Sequence, residues 1–568
     1  MGAIKQFACL LFLCSAALCH GQVDQAVTIT FEDHALLDAL AMLDEATEQQ
    51  LSFNPQILPQ ERRISKSFRS EPAEEILIEL LGTNYELKPI GNYLIIQKRV
   101  TVKKKSTISI AGGIKDAVTG EDLQDVSIYE INTLESTLSN EMGEFELKAK
   151  TGSEVATFLI SKENYQDTII QITNLQQFQA PISLKEEKES RLGKAIRDQV
   201  RVFSNGLAKL FTSDKVIKNA RNVNMVDARM FQISLVPSIG TNRKMSSQIK
   251  NKASLNVLAG YSYGVQGFEL GGIYNIDREE VRGVQIGGFG NTVGGEVHGL
   301  QMAGFVNTTS DYVKGTQIGG FINVASDSVN GFQMAGFTNL TKEIKGFQIA
   351  GFNNHTKKSA GFQLSGFINT TEEMDGFQLT GFVNVAREVR GLQMSVVNIA
   401  DTVASGIPFG LLNIVWKNGL LSPGFESDDV VPYRFTFRSG IDKFYTVLSI
   451  GADPGDHWSL GVGFGSKLFT SEKKKFHLNP ELRWVNLAKG SPNGNANNYL
   501  VRFNFNLGYE LFRRLTITSG PAVTYYITNQ LDEDTNPEIA IANNPIIDNL
   551  IGNSRHQLWI GYTFGVNF

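Results

Sequence analysis

Gly331-Phe332-Gln333-Met334-Ala335-Gly336-Phe337-Thr338-Asn339 is one copy of a nine-residue phrase that recurs almost unchanged along the middle of the chain. The other close copies are 283–291, 299–307, 315–323, 346–354, 361–369 and 376–384, and looser ones lie at 267–275 and 391–398. The spacing is 16 residues in the earlier copies and 15 in the later ones. Periodicity of this kind means stacked or serially paired structural units. Two architectures fit. In the first, each copy is one strand of an antiparallel membrane barrel, about 9 to 11 residues long, followed by a turn. Phe332, Met334, Gly336, Thr338 and Leu340 then face lipid, and Gln333, Ala335, Phe337 and Asn339 face the interior. In the second, each copy is one coil of a β-solenoid. Its side chains then stack in ladders, one of Gln285, Gln301, Gln317, Gln333, Gln348, Gln363 and Gln378, another of Asn291, Asn307, Asn323, Asn339, Asn354, Asn369 and Asn384, with Gly at the corners.

The connectors between copies favour the solenoid. Barrel strands alternate in direction, so short and long connectors should alternate too. Here 276–282, 308–314 and 324–330 are alike and short. The flanks favour the barrel. Phe231, Ile233 and Leu235, then Leu255, Val257, Ala259 and Tyr261, alternate with other residues before the repeats. After them Tyr433, Phe435 and Phe437 alternate with Arg434, Thr436 and Arg438, and Val501 to Leu511 continues the pattern. A solenoid would have to be spliced among such strands without a linker. The expectation is therefore a barrel over 228–568 of roughly 18 strands, with a solenoid at 267–398 as the alternative. The repeat also resembles surface-repeat families of bacterial envelope proteins built on the same Gly-x-Gln and Gly-x-x-Asn units.

The end of the chain carries the sharpest pattern. Phe568, Val566, Phe564, Tyr562, Ile560 and Leu558 alternate with Asn567, Gly565, Thr563, Gly561, Trp559 and Gln557, as expected of a strand with one face in lipid. It resembles the terminal strand, ending in an aromatic residue, by which the barrel assembly machinery recognises outer-membrane proteins. Phe568, Val566, Phe564 and Tyr562 are the assembly signal that this resemblance implies.

At the other end, Lys5, the apolar run Phe7 to Leu18 and the small and polar residues before Gln22 have the layout of a secretory signal peptide over 1–21. Cys9, Cys14 and Cys19 all lie inside it, so the mature chain is expected to hold no disulfide and no thiolate site. No later run of 18 apolar residues appears, so any crossing of a membrane is left to strands.

Residues 22–100 alternate strand and helix. Val27, Ile29 and Phe31 form a strand, Leu36, Leu37, Leu40 and Leu43 a helix stripe, and Leu51 with Phe53 a second strand. Ile64 to Phe68 is a third. Ser70 is read as the N-cap of a helix with Ile76, Leu77, Leu80 and Leu81, and Gly91-Asn92 as a hairpin turn into Tyr93 to Ile96. Through Phe31, Leu36 and Ala39-Leu40, and through Ala73, Ile76-Leu77 and Leu80-Leu81, the segment resembles the short N-terminal domain of secretins and TonB-dependent receptors. That resemblance implies a periplasmic docking module, in signalling receptors for an anti-sigma regulator. After Lys103-Lys104-Lys105, residues 107–185 read as strands throughout. Through Gly112, Asp116, Gly120, Leu123 and Val126, then Asn140 and Gly143-Glu144-Phe145-Glu146-Leu147, they resemble the carboxypeptidase-regulatory-like, transthyretin-type sandwich common in envelope proteins of the Bacteroidetes. Residues 186–227 turn charged, with a helical stripe of Leu192, Ile196, Val200, Phe203, Leu207 and Leu210, and read as a connector.

Sites of chemistry are not in view. The 7 histidines show no metal-ligand spacing, and Gly461-Val462-Gly463-Phe464-Gly465 lies in a strand pattern and opens no helix. No nucleophile stands with its base, and a net charge of −5 gives no pull toward nucleic acid. The expected protein is mainly β and non-enzymatic, without cofactor, metal or nucleic-acid partner. It is expected in the outer membrane with its N-terminal domains in the periplasm. Outer-membrane lipid, the barrel assembly machinery and an anti-sigma regulator or TonB-like protein are its expected partners. The alternatives are a TonB-linked transport component without a plug and a surface adhesin that binds through the repeats.

Overall fold

A computed structural model describes residues 26–568, apart from 48–49, 60, 91–92, 100–105, 152–154, 174–180, 188–205, 224–225, 456, 471–474, 490–497, 513–514, 532–535 and 542–543. The expected signal peptide, the Gly91-Asn92 turn and most of the 186–227 connector lie outside the described residues. The protein is mainly β and divides into two units.

The first unit comprises 1–200, 209–252 and 261–263. Strand Ala26–Ala35 pairs antiparallel with Arg63–Pro72, and Gln50–Phe53 runs parallel to Tyr93–Lys98, which pairs antiparallel with Tyr85–Ile90. Helices Leu36–Glu45 and Ala73–Leu81 close one core around Phe31, Leu40, Phe68 and Leu77. Ser70 is not the cap of the second helix. It lies within the strand Arg63–Pro72 at φ 52, and the helix starts at Ala73 after Pro72, whose fixed φ already suits a helix entry. Residues 106–184 form a four-stranded and a three-stranded sheet, whose facing sides share a core of Ile110, Ile128, Phe158 and Leu184. Ile95 and Leu159 join these two pieces in a further cluster with Val223 and Met245. The helix Asp214–Asn222 is tied to the sandwich by Lys218–Asp125 at 2.7 Å and by Ser127 Oγ donating to Asn219 Oδ1.

The second unit holds the repeats and the C-terminal sheet. The repeats pair with one another in parallel, each residue opposite its equivalent one repeat later: Gln317 opposite Gln333, Gln333 opposite Gln348, Asn323 opposite Asn339. Antiparallel membrane strands cannot pair this way, so these copies are solenoid coils, about 11 turns in all. The alternation assumed for the barrel also fails within a copy. Gly336 and Phe337 make a corner, so parity restarts there: Phe332, Met334 and Phe337 point out, while Gln333, Ala335, Thr338 and Asn339 are buried. Glycine is required at the head of each coil. Gly346 has φ 127, and a Cβ on it would lie 2.1 Å from the carbonyl oxygen of Gly331 in the coil below.

The chain leaves the last coil at Val415 and enters an antiparallel sheet at Leu420. The strands Leu420–Asp428, Tyr433–Ile441, Phe444–Ala452, His457–Gly465, Phe476–Lys489, Asn498–Phe512, Leu515–Thr528 and Ser554–Asn567 pair in series. The last also pairs with the first, Phe425 opposite Val566, so these eight strands close on themselves. The expectation of roughly 18 antiparallel strands from residue 228 is corrected accordingly. Asp227–Val236 and the coils precede this closed sheet and take no part in its ring.

Candidate functional site

The coil interior is built from side chains that can bond to copies of themselves. Each Gln Nε2 donates to the Gln Oε1 of the preceding coil, from Gln301 on Gln285 through Gln393 on Gln378, at 2.7 to 2.9 Å. The Asn column is longer, running from Asn256 to Asn413 with each Nδ2 donating to the next Oδ1 at 2.8 to 3.1 Å. The second amide proton crosses the coil to a backbone carbonyl, as in Asn291 to Met302 and Asn339 to Ile349. From Asn275 to Asn384 both donors of each Asn amide are thereby used, as suits a fully buried amide. The Gln ladder begins on two carboxylates, Glu269 and Asp277, which accept from Gln285 at 2.8 and 2.5 Å. It ends at Gln393, because Pro408 occupies the next register position and offers no amide.

The coil exterior is apolar along one side. Phe289, Phe305, Phe321, Phe337, Phe352, Phe367 and Phe382 form one stack, with ring centroids 4.8 to 5.1 Å apart. Beside it runs a column of Ile286, Met302, Ile318, Met334, Ile349, Leu364 and Leu379, then one containing Phe332, Phe347, Phe362 and Phe377. Phe352 is 39% exposed and Phe347 54%. The charged residues Lys342, Glu343, Lys357, Lys358, Glu372 and Glu373 lie further along each coil, and Lys345 and Asp375 stand two residues before Phe347 and Phe377.

The closed sheet is apolar outside and charged inside. Phe425, Tyr433, Phe435, Ile450, Leu460, Trp484, Phe503, Phe505, Ile560, Tyr562, Phe564 and Phe568 are exposed. Of the proposed assembly signal, Tyr562, Phe564, Val566 and Phe568 all point outward, and the intervening Thr563, Gly565 and Asn567 are buried. Within the ring, Arg438 donates to Glu481 at 2.8 Å and pairs with Glu426, while Arg483 meets Glu426 at 2.6 Å and pairs with Glu481. Tyr445 donates to Glu481 at 3.0 Å, and Arg438 also reaches Asn567 at 2.6 Å. Further along, Asp428 faces Arg434 at 3.0 Å and Arg502 at 3.4 Å, and Asp429 takes Arg502 at 2.9 Å and Trp559 Nε1 at 2.6 Å. Each group of four charges sums to zero, as buried ions must. Val430, Leu487, Leu500, Tyr526 and Ile539 pack together beyond them. An eight-stranded ring has room inside for side chains and little else, and here they occupy it apart from a polar recess of about 230 Å³ lined by Arg438, Tyr445, His477, Asn479 and Asn567.

The sequence pattern identified the outward residues of the last strand and the amide columns. It missed the ionic clusters, whose members are up to 74 residues apart, as Asp428 and Arg502 are, and meet only because the sheet closes. Arg434 and Arg438 interrupting Phe435 and Phe437 were the available signal. In the first unit, burial raises the Asp167 carboxyl to about 6. Its neutral form therefore favours the folded state, and stability there falls as pH rises from about 4 through 6. Among the described residues no cluster of His, Cys, Asp and Glu is placed to hold a metal, and no helix is long and apolar enough to cross a membrane. No family model matches the chain and no curated protein matches it, so the resemblances drawn above rest on their motifs alone.

Proposed function

We propose that this is a non-enzymatic outer-membrane protein whose closed C-terminal sheet is a membrane barrel anchoring periplasmic docking domains. The observation that carries the reading is the reversal of inside and outside in that sheet. A soluble sheet buries its aromatics and exposes its charges, whereas here Arg438, Arg483, Glu426 and Glu481 are buried and Phe425, Leu460, Trp484 and Phe564 face outward. Burying such ions has a cost that only a solvent still less hospitable to charge outside the ring makes reasonable. The strands of 9 to 15 residues are long enough to cross a bilayer when tilted.

The connections fit the same reading. At the end where the chain enters and leaves, strands 433–441 and 444–452 are joined by Asp442-Lys443 alone. The longest connection, 529–553, lies at the other end. Short turns on the periplasmic side are usual for bacterial barrels, which supports a periplasmic position for the N-terminal domains. The filled interior argues against a conduit and so against TonB-linked uptake. For the N-terminal unit, the motif resemblances make an anti-sigma regulator the first candidate partner and a TonB-like protein the second. Fractionation tests the anchor: the mature protein should sediment with outer membranes and migrate faster unheated than heated on a denaturing gel. Recovery as soluble periplasmic protein would end the proposal. Affinity capture on the full chain, with and without 23–100, tests the docking role, and the loss of a retained periplasmic protein with the deletion is the expected result.

A further inference from the structure

The solenoid meets the closed sheet from outside its wall. Asn413, last of the Asn column, donates through its backbone N–H to Ser439 Oγ at 3.1 Å and through Nδ2 to Thr446 Oγ1 at 2.9 Å, and Thr446 donates to the Gly410 carbonyl at 2.6 Å. Ser439 and Thr446 point outward, since their chain neighbours Arg438 and Tyr445 belong to the interior cluster. The stacking direction of the coils, which the Asn column marks, therefore runs into the wall across its strands. The coils extend sideways from the ring and do not continue its axis.

The apolar side of the coils is continuous with the apolar wall. Phe409, which ends the Ile286–Met394 column, stacks on Phe444 and Phe464 at 5.6 and 4.9 Å. Leu411, which ends the aromatic column, lines an apolar groove of about 720 Å³ with Phe437, Leu448, Leu460 and Trp484 of the wall. Nine coils at about 4.8 Å each make this strip about 40 Å long, far beyond the apolar patch an ordinary soluble surface carries. Charged residues of both signs flank it, Lys345 and Asp375 two residues before Phe347 and Phe377, and Lys342, Glu343, Lys357, Lys358, Glu372 and Glu373 further along each coil.

We infer that the solenoid lies in the plane of the membrane, with its aromatic columns in the leaflet that surrounds the periplasmic rim of the barrel. The inference rests on the reading of the closed sheet as membrane-spanning: strands upright in a bilayer turn a solenoid that projects sideways from their wall into one that lies flat. Its occupant is then the same lipid that covers Leu460 and Trp484. The mixed charges of the turns make the contact apolar, so it needs no anionic headgroup.

The test uses the full chain in vesicles of phosphatidylethanolamine and phosphatidylglycerol, labelled with a small fluorophore at Leu460→Cys, Phe352→Cys or Lys342→Cys, with spin-labelled phospholipid as quencher. Leu460→Cys and Phe352→Cys should both be quenched several-fold more than Lys342→Cys, and omitting phosphatidylglycerol should not change the ratio. Quenching at Leu460→Cys with Phe352→Cys no better than Lys342→Cys overturns the inference and leaves the barrel standing. Disulfide-linked pairs formed by the unlabelled Phe352→Cys chain under oxidation, with the labelled chain unquenched, overturn it in favour of a second copy on this face. Absence of quenching at Leu460→Cys brings down the barrel reading beneath it.

Discussion

The solenoid and the closed sheet are both β, both alternate along each strand and both expose an apolar surface, yet their interiors are opposite in chemistry. The coil interior holds neutral amides and the ring interior holds ions. Register explains the difference. In the coils every residue sits over its own equivalent, so a column tolerates only groups that complement themselves: an amide that donates up and accepts down, a ring that stacks, a valine that packs. A column of arginines would stack like charges along its length. In the antiparallel ring the neighbour across a strand need not be the same residue, so Arg438 can lie between Glu426 and Glu481. The exception supports the rule: the carboxylates Glu269 and Asp277 occur where the Gln column begins and a donor arrives without a Gln to accept it.

The comparison breaks most visibly under deletion. Removing residues 346–360, one repeat, shortens the coils by one and rejoins equivalent ends, and removing 346–375 does the same twice. Both chains should keep heat-modifiable migration, because neither touches the ring. Removing 554–568 leaves Leu420–Asp428 and Leu515–Thr528 as open edges, and assembly into the membrane should be lost. Tolerance of two coils but not one would restore strand-like alternation to the repeats and contradict their parallel pairing.

Point changes come next. Glu481→Ala strips a shared partner from Arg438, Arg483 and Tyr445, so the ring should lose about 3 to 5 kcal/mol in urea unfolding from lipid. Gln348→Ala interrupts a column in which Gln348 donates to Gln333 and accepts from Gln363, and should cost about 1 to 3 kcal/mol. Local hydrogen exchange of the coils, rather than global unfolding, is the measurement for that variant. A larger loss from Gln348→Ala than from Glu481→Ala would mean that the amide ladder, not the ion cluster, is the less replaceable interior.

How much of this was legible follows from the same contrast. The last strand could be read because alternation, outward aromatics and a chain end coincide in Tyr562 to Phe568. The repeats were readable as units but not as coils: Gln333 and Asn339 are six residues apart, the same parity, and only the corner at Gly336-Phe337 removes the strand reading of what lies between. Their uniform connectors pointed to the solenoid. The lack of a linker pointed away from it, and wrongly, because Asn413 bonds directly to Ser439 and Thr446 and no linker is needed. The ionic clusters depend on ring closure, which no local pattern encodes.

The smallest effect expected is at the surface, where the two regions look most alike. Phe352 lies between Phe337 and Phe367 at 4.9 and 5.0 Å, whereas Leu460 on the ring wall has no stacking partner. In detergent, where both faces are covered by apolar chains, Phe352→Ala should cost about 1 kcal/mol, the usual worth of ring pairs beyond simple burial. Leu460→Ala should cost less, because 59% of that side chain's residue surface is exposed and little packing is removed. The difference between the two variants then measures the stack itself. If Phe352→Ala cost as much as Gln348→Ala, the aromatic column would be a structural element of the coils in its own right, and its exposure would not by itself speak for a lipid partner. If the two surface variants cost the same, the rings would add nothing to coil stability, and their repetition over seven coils would have to be explained by what they touch outside the protein.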